Sequence, residues 1–249
     1  MPSAIIRNSV DNVFSNFDKD IKSVADCAFL RYLSDEVMNP VASAILGEIM
    51  AQTNVYVFSG VIRDYFLQRK QGLRDIDLVI EDEVDWLPIY RKYRHDIKVK
   101  INSYGGLKVH IGDLCADVWT MQRTWGLMHK GVAATPQNLI RTAFFNFSAI
   151  AYSLNRRRFY IHKAFAQFIE NREIGVLYKE NPNVPLCIVN SMYYYKELGM
   201  SLSLELCRWI VTHYSMFDDY ATPQLAHWGS VKYSREDILL FLSKCRIVG

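Results

Sequence analysis

Two spacings of apolar residues alternate along the chain and predict a mixed sheet framed by helices. Apolar or alternating runs typical of β-strands occupy residues 55–58, 75–81, 97–101, 107–111, 114–120, 150–154 and 159–162. Three- and four-residue spacing predicts helices at residues 9–50 with a break at Asn39-Pro40, from Val61 to Gln71-Gly72, and at residues 84–93, 186–199, 202–214 and 235–245. The predicted fold class is therefore α+β.

Changes in this pattern divide the chain into three predicted parts. Residues 1–52 form an N-terminal helical segment, residues 53–180 hold the strands, and residues 181–249 are helical again. Pro182 and Pro185 mark the entry to the last part. We interpret the N-terminal helices as a cover for the sheet or a contact with a partner, with a dedicated recognition arm as the alternative.

The composition is that of a globular protein. The 249 residues are 50% hydrophobic, which allows a substantial core, and a formal net charge of +3 does not by itself indicate nucleic acid as a partner. The five cysteines are scattered and never form a Cys-x-x-Cys pair, which favours a reducing compartment and no zinc site. No run approaches the roughly 20 apolar residues of a membrane helix, so we expect a cytoplasmic protein without membrane contact.

One short βαβ-like segment combines a small-residue turn, a helix start and two alternating carboxylates. Ser59 and Gly60 make the turn, and the helix that follows presents free backbone N–H groups, which attract phosphate. Asp75 and Asp77 are two residues apart on a predicted strand and therefore share a face. Two carboxylates this close repel each other unless a cation lies between them. The pattern favours phosphate chemistry with a metal ion, and the alternative is a solvated strand end.

A third carboxylate, Asp117, lies in the second strand of the predicted hairpin at residues 107–120. Three oxygen ligands with open positions suit Mg²⁺, and two such ions could activate an attacking hydroxyl and stabilise a leaving pyrophosphate. Cys115 lies beside this acid, and we interpret it as a buried strand cysteine rather than a nucleophile. His110 with Asp113 is interpreted as a hairpin histidine bonded to its own turn.

These residues resemble a known family. Ser59-Gly60-x-x-Arg63-Asp64, followed by Asp75-x-Asp77-Leu78, is similar to the Gly-Gly-x-x-Arg-Asp and Asp-x-Asp motifs of the nucleotidyltransferase superfamily. The branch resembled is that of the bacterial poly(A) polymerases and CCA-adding tRNA nucleotidyltransferases of class II. The likeness extends to residues 147–152 and 185–200, and covers roughly residues 53 to 215. It implies a polymerase beta-like mixed-sheet head with a helical neck.

The resemblance also implies roles for individual residues. The acids that would bind two Mg²⁺ ions and act in catalysis are Asp75, Asp77 and Asp117. The residues that would bind the nucleoside triphosphate, ATP or another NTP, are Ser59, Gly60, Arg63 and Asp64, of which the last two would brace the turn or contact phosphate. Arg123 takes the place of an arginine that follows the third acid in the family.

Two stretches depart from the family pattern. An Arg-Arg-Asp-Phe-Thr motif is replaced by residues 142–146, Thr-Ala-Phe-Phe-Asn, without the acid. The base-reading Glu-Asp-x-x-Arg motif is replaced by residues 183–187, Asn-Val-Pro-Leu-Cys, without its Asp and Arg. Both departures concern the choice of base, so the sequence supports the chemistry better than it supports a particular nucleotide.

The first hypothesis is an enzyme, a Mg²⁺-dependent, template-independent nucleotidyltransferase that moves a nucleoside monophosphate from an NTP to a hydroxyl, with an RNA 3′ end as acceptor. The alternatives are transfer to a protein or small molecule, as in toxin-like members, and a non-catalytic module that binds nucleotide or RNA. Three further features each have a structural and a functional interpretation. Arg156, Arg157 and Arg158 form a hairpin tip that is either solvated or in contact with RNA. One of residues 193–195 either packs in the core or stacks on a base, and residues 104–106 form either a hairpin turn or a mobile loop.

Overall fold

A computed structural model describes residues 27–69, 75–102 and 105–248. The chain divides into two compact units, one comprising Met1–Ile140 and Ile150–Ile161, the other Arg141–Ala149 and His162–Gly249. The first unit carries the sheet and the second is mainly helical. The predicted helix near residues 10–17 lies outside the described residues. The helix predicted to run from Val61 to Gln71-Gly72 instead ends at Phe66, because the backbone turns at Gln68, which has φ 53°.

A seven-stranded mixed sheet forms the centre of the first unit. Its strands are β1 (Val55–Phe58), β2 (Asp75–Ile80), β3 (Ile97–Ile101), β4 (Leu107–Ile111), β5 (Leu114–Thr120), β6 (Ile150–Ser153) and β7 (Arg158–Ile161). They lie in the order β3-β4-β5-β2-β1-β6-β7. Only the β2–β5 pair within this sheet is parallel, and the other neighbours run antiparallel. All seven predicted strands are present, so the α+β prediction is confirmed.

The segment predicted as βαβ-like has a different pairing from a parallel βαβ unit. β1 and β2 are direct neighbours and run antiparallel, with Phe58 opposite Asp77. β2 instead takes β5 as its parallel partner. Apolar alternation identifies strands but carries no information on which strand becomes the neighbour, so the sequence could not supply this pairing.

Within the described residues, a helical segment at residues 27–37 and five further α-helices belong wholly or mostly to this unit: α1 (Pro40–Met50), α2 (Gly60–Phe66), α3 (Trp86–Tyr93), α4 (Trp125–Lys130) and α5 (Pro136–Arg141). Side-chain caps fix two of their starts. Asn39 accepts a hydrogen bond from the Ala42 N–H at 2.8 Å, and Asp85 accepts one from the Leu87 N–H at 3.1 Å. The predicted break at Asn39-Pro40 is thus the start of α1. The helix predicted from residue 84 begins two residues later, directly after its cap.

The two faces of the sheet are covered differently. One face is apolar, and side chains from α1, the start of α3 and the strands enclose a small apolar space there, among them Ala42, Ile45, Ile49, Trp86, Ile76, Leu78, Val109, Ile111, Ala116 and Val118. On the other face, Tyr56 and Val79 join a core cluster with Leu127 and Leu139. The part of this second face near the core cluster is therefore covered. The same face carries the three predicted acids.

The second unit is built from helices and one small sheet. It contains α6 (Lys163–Asn171), α7 (Val184–Leu198), α8 (Leu204–Tyr214), α9 (Ala221–Trp228) and α10 (Arg235–Val248), with β8 (Glu173–Ile174) parallel to β9 (Ser201–Leu202). The three predicted helices are α7, α8 and α10. The sequence pattern missed α6 and α9, which are short, and α9 also contains Pro223 in its first turn. None of the helices in the described residues has the length and apolarity needed to cross a bilayer.

Gln224 fixes the connection between α9 and α10. Its side chain is fully buried, and its amide nitrogen donates to the carbonyls of Tyr220 and Tyr233 at 2.9 and 3.0 Å. Its amide oxygen accepts from the N–H groups of Lys232 and Tyr233 at 3.0 and 2.9 Å. One side chain thus satisfies four backbone groups in a segment that has no regular structure of its own.

Candidate active site

The three predicted acids lie together on one face of the sheet. The parallel register of β2 and β5 places Asp77 opposite Asp117, and Asp75 opposite Cys115. Neighbouring strands are separated by about 4.8 Å, and residues two apart on a strand project to the same side. The structure therefore brings all three carboxylates together, as the sequence predicted.

Asp77 occupies the most confined position of the three. On β1 its register partner is Phe58, whose ring meets Trp119 edge-on at 6.3 Å between centroids. Burial raises the pKa of Asp77 to about 7, and repulsion from Asp117 and Asp75 adds to the effect. At neutral pH this carboxyl therefore carries an electrostatic penalty that a bound cation would remove.

Lys108 supplies positive charge to the same site. Its ammonium nitrogen lies 3.2 Å from Asp117 Oδ2 and 3.4 Å from Asp75 Oδ2. Partial burial opposes its charge, but the two carboxylates outweigh burial and raise the pKa of Lys108. The acidic motifs of the sequence do not include this residue.

The register that places Lys108 could have been obtained from the hairpin turn. β4 and β5 are joined by the two residues Gly112 and Asp113, and Gly112 has φ +60° at the first turn position, where glycine is favoured. A two-residue loop pairs Ile111 with Leu114, and counting back along both strands pairs Lys108 with Asp117. The length of the turn thus indicates that Lys108 faces Asp117, which the family motif does not.

The carboxylate oxygens of the three acids suit a hard divalent cation. Among residues 27–69, 75–102 and 105–248, no three His, Cys, Asp or Glu side chains are arranged as a ready-made ligand set. The carboxylates of Asp75 and Asp117 are instead directed at the Lys108 ammonium, which shows that this position attracts a cation. Carboxylate oxygens are the ligands that Mg²⁺ prefers, and small rotations of these two aspartate side chains would redirect them.

Cys115 is not a nucleophile at neutral pH. Its side chain is buried on β5, and burial together with the charge of Asp75 raises the pKa of its thiol to about 11. Since the thiolate is the reactive form, the raised pKa disfavours reaction at this thiol. The interpretation as a buried strand cysteine agrees with this environment.

The Ser59-Gly60 turn has an unusual backbone. Ser59 has φ 57° and ψ −98°, its N–H donates to the Ile150 carbonyl at 3.1 Å, and its own carbonyl accepts from the Arg63 N–H at 2.9 Å. A residue with a Cβ is strained at such angles. At Gly60, by contrast, an added Cβ would meet no atom within 4 Å, so the space above the turn is open.

We expect Ser59→Gly to stabilise the protein by about 1 kcal/mol, because glycine relieves the strain at positive φ and this gain exceeds the entropy that it adds to the unfolded chain. Urea unfolding of the variant measures the change. Ser59→Ala keeps the Cβ and should show no gain, while Ser43→Gly, at an exposed position of α1, should lose about 0.5 kcal/mol. A Ser59→Gly protein no more stable than the parent would show that the turn is not strained.

Arg63 and Asp64 form a buried ion pair at the base of this turn. Their side chains are 1% and 3% exposed, and both Nε and Nη2 of Arg63 lie 3.0 Å from Asp64 Oδ1. Side chains this buried lie inside the unit, and the bracing role predicted for them stays a prediction. Their contribution to nucleotide binding stays a prediction and would act through the turn that they hold.

The arginines that the sequence pointed to lie away from the three carboxylates or form contacts with other residues. The tip with Arg156, Arg157 and Arg158 follows β6 at the Val55 end of β1, whereas Asp77 pairs at its Phe58 end. Arg156 lies 3.8 Å from Glu81, and Arg158 bonds the Tyr160 hydroxyl, so RNA contact by the tip stays a prediction. Arg123 forms an exposed ion pair with Glu83 at 3.0 Å.

Residues 193–195 are all partly buried and meet different aromatic partners. Tyr193 lies 5.4 Å from Trp228, Tyr194 lies 4.6 Å from Phe147, and Tyr195 lies 5.8 Å from Phe241, measured between ring centroids. They point in three directions, as expected on a helix. Base stacking by one of them stays a prediction.

Gly105 and Gly106 belong to a hairpin connection between β3 and β4. The Asn102 N–H donates to the Gly106 carbonyl at 2.8 Å, and Gly105 has φ +78°. A Cβ at Gly106 would lie 2.9 Å from Asn102 Nδ2 and 3.0 Å from the Val118 carbonyl, so only glycine fits there. Gly105 and Gly106 therefore lie in a hairpin turn, and the mobile-loop alternative stays a prediction.

Comparison with known proteins identifies the fold. No protein-family model matches the sequence, and no curated protein matches it significantly. Among solved structures, a CCA-adding enzyme with CTP is 16% identical, with a TM-score of 0.62 over 87% of this chain and 54% of that one. A tRNA nucleotidyltransferase complexed with a primer tRNA and an incoming ATP analog is 19% identical, with a TM-score of 0.58 over 82% of this chain and 60% of that one.

A tRNA-processing enzyme with CTP is 18% identical to this chain, with a TM-score of 0.58 over 82% of it and 56% of the other chain. The chain thus spans between half and two thirds of the length of these proteins. At such identities the likeness shows the fold alone. It confirms the predicted class, an α+β nucleotidyltransferase fold with a mixed-sheet head and a helical region.

Proposed function

We propose that this protein is a metal-dependent nucleotidyltransferase that transfers a nucleoside monophosphate from an NTP to the 3′ hydroxyl of an RNA. The observation that carries the proposal is the cluster of Asp75, Asp77 and Asp117 on one face of a sheet with the nucleotidyltransferase fold. Similar structures contain CTP, an ATP analog or a primer tRNA, which supports an NTP and an RNA as the two substrates.

The three acids would hold Mg²⁺, with two ions as the expected number. When bound, the metal supplies charge neutralisation for the triphosphate and a lowered pKa for the attacking hydroxyl. The raised pKa of Asp77 supports this assignment, because a cation stabilises the ionised form that burial and its acidic neighbours disfavour. Lys108 offsets part of the charge of Asp75 and Asp117.

The protein's own groups would orient the two substrates. The open space above Gly60 gives a triphosphate close access to the backbone N–H groups at the start of α2. The buried pair of Arg63 and Asp64 keeps that turn in place. Phe58 and Trp119 pack together beside Asp77 and shield one side of its carboxylate.

Incorporation of labelled nucleotide tests the proposal. Purified protein is incubated with Mg²⁺, total cellular RNA and each of the four α-labelled NTPs in turn, because the base-reading motif of the family is replaced here. We expect label from at least one NTP to enter RNA, and this label to be lost in Asp75→Ala/Asp77→Ala. Asp96→Ala/Asp113→Ala removes two exposed acids outside the site and should leave incorporation unchanged.

The acceptor is identified in the same reactions. Label that resists protease and is released by ribonuclease supports the RNA acceptor. Label on protein would replace this proposal by transfer to a protein. Absence of label with every NTP, with Mg²⁺ or Mn²⁺, would exclude nucleotidyl transfer as the function.

A further inference from the structure

The face that carries the acids continues toward the edge of the sheet as a basic surface. In the first of two rows across the strands, Asp77 on β2 pairs with Asp117 on β5, Asp117 pairs with Lys108 on β4, and Lys108 pairs with Lys100 on β3. Register partners project to the same side of a sheet. The row therefore runs from two acids to two lysines on one continuous surface.

The second row lies beside the first and also runs from an acid to a lysine. Asp75 on β2 pairs with Cys115 on β5, Cys115 pairs with His110 on β4, and His110 pairs with Lys98 on β3. Because Lys98 and Lys100 are two residues apart, they share this face of the edge strand. Two independent rows thus place positive charge on the same side of the carboxylates.

The two edge lysines are available for a partner. β3 is the last strand of the sheet, and Lys98 and Lys100 are exposed. Within the described residues neither forms an ion pair, in contrast to Lys92, which pairs with Glu48 at 2.5 Å. Lys108, at the inner end, is 34% exposed and contacts Asp75 and Asp117.

We propose that Lys98, Lys100 and Lys108, here termed the lysine track, bind the phosphates of the RNA acceptor strand next to its reactive end. This inference rests on the proposed function. Lysine ammonium groups act as point charges that contact a phosphate backbone without reading the sequence. The track would thus hold the strand and leave the choice of nucleotide to other groups.

The position of the track distinguishes the acceptor from the NTP. The Ser59-Gly60 turn follows β1, which lies on one side of β2, whereas β5, β4 and β3 lie on the other side in that order. The carboxylates therefore stand between the phosphate-attracting turn and the lysines. The backbone of Lys100 is two strand spacings, about 10 Å, from that of Asp117, which suits a chain of phosphates that extends away from the site better than one triphosphate.

Binding of a fluorescein-labelled single-stranded RNA of mixed sequence, measured by anisotropy between 50 and 300 mM salt, tests the track. For Lys98→Gln/Lys100→Gln we expect about a tenfold weaker Kd at 100 mM salt and a salt slope that is smaller by about 1.4, since each lost phosphate contact lowers it by about 0.7. The KM for RNA should rise in parallel, while the KM for NTP should not change. Lys98→Arg/Lys100→Arg should retain the parent affinity.

The matched control is Arg91→Gln/Arg94→Gln. These exposed cations lie on or directly after α3, whose first residue, Trp86, packs against the opposite face of the sheet. The control removes the same charge and should retain the Kd and slope of the parent. Equal losses in both variants would mean that net charge, not this track, holds the RNA.

Two other outcomes separate this inference from the function on which it rests. If the parent protein labels and binds RNA and Lys98→Gln/Lys100→Gln behaves identically, the track is overturned and the function stands. The lysines would then only protect an exposed edge strand from aggregation. If the parent neither labels nor binds RNA, both proposals are overturned together.

Discussion

Asp77→Asn should remove nucleotidyl transfer and, at the same time, make the protein more stable at pH 8. We expect activity to fall by roughly 10³-fold, because a neutral amide cannot neutralise a cation at the centre of the acid cluster. The gain in stability follows from the environment of the carboxyl. It is partly buried beside Phe58 and faces Asp117, so its ionised form is disfavoured in the native protein.

The sign of the pH dependence is fixed by the raised pKa. The native pKa of Asp77, about 7, lies above the usual 3.8, so the native state binds the proton more tightly than the unfolded chain. The free energy of unfolding of the parent therefore falls as pH rises from about 4 to about 7, and then stays at its lowered level. One pKa unit corresponds to about 1.4 kcal/mol, and residual solvent contact reduces the effect, so we expect Asp77→Asn to gain about 2 kcal/mol at pH 8 and almost nothing at pH 4.

Urea unfolding in EDTA at both pH values measures this gain, and the labelled-NTP assay measures the loss of activity. Asp113→Asn, a change of the same kind in the exposed β4–β5 turn, should alter neither quantity. Mg²⁺ should stabilise the parent at pH 8 and have less effect on Asp77→Asn. A variant that keeps activity within tenfold of the parent would remove Asp77 from the catalytic site, and unchanged stability at pH 8 would show that its charge is already compensated.

Arg63→Met should destabilise the sheet unit by about 4 kcal/mol. The substitution leaves the carboxylate of Asp64 buried without the guanidinium that lies 3.0 Å from it. Breaking one side of a buried ion pair typically costs about 3–5 kcal/mol, a large part of the stability of an ordinary domain. Urea unfolding at pH 7 measures the loss.

Two further variants show whether the loss belongs to the buried pair. Arg63→Met/Asp64→Val removes both charges and should recover most of the stability, since an apolar pair of similar volume replaces a buried ion pair well. Arg123→Met breaks the exposed pair with Glu83 and should cost less than about 1 kcal/mol. A double variant no more stable than Arg63→Met would mean that the side-chain volume, not the charge, is what the turn needs.

Local sequence predicted the strands well because each is bounded by residues with a clear physical preference. β4 and β5 match their predicted bounds, since alternation in both strands ends at the Gly112-Asp113 turn. α6 and α9 were missed because short helices give few turns of periodic signal. Their stability comes from tertiary contacts, such as the four hydrogen bonds of Gln224, which no local pattern contains.

The site was predicted as far as its motif extended. Asp75, Asp77 and Asp117 were selected from their spacing and family likeness, and the sheet register brings them together. Lys108 was missed because its role depends on which residue it faces across β4 and β5, and the motif names only the acids. The backbone strain at Ser59 also could not be read from residue type, since serine itself shows no preference for positive φ.

The division of one sheet face into an acidic half and a basic half has a consequence for which part of a nucleic acid can approach it. A phosphate over the three carboxylates is repelled unless a bound cation offsets their charge, whereas a phosphate over the lysines is attracted. A terminal sugar with an uncharged hydroxyl would therefore lie over Asp75, Asp77 and Asp117 at a lower electrostatic cost than an internal nucleotide, while the preceding phosphates rest on Lys98 and Lys100. Such a surface would favour the end of a chain over its interior, and would set the direction in which the chain lies.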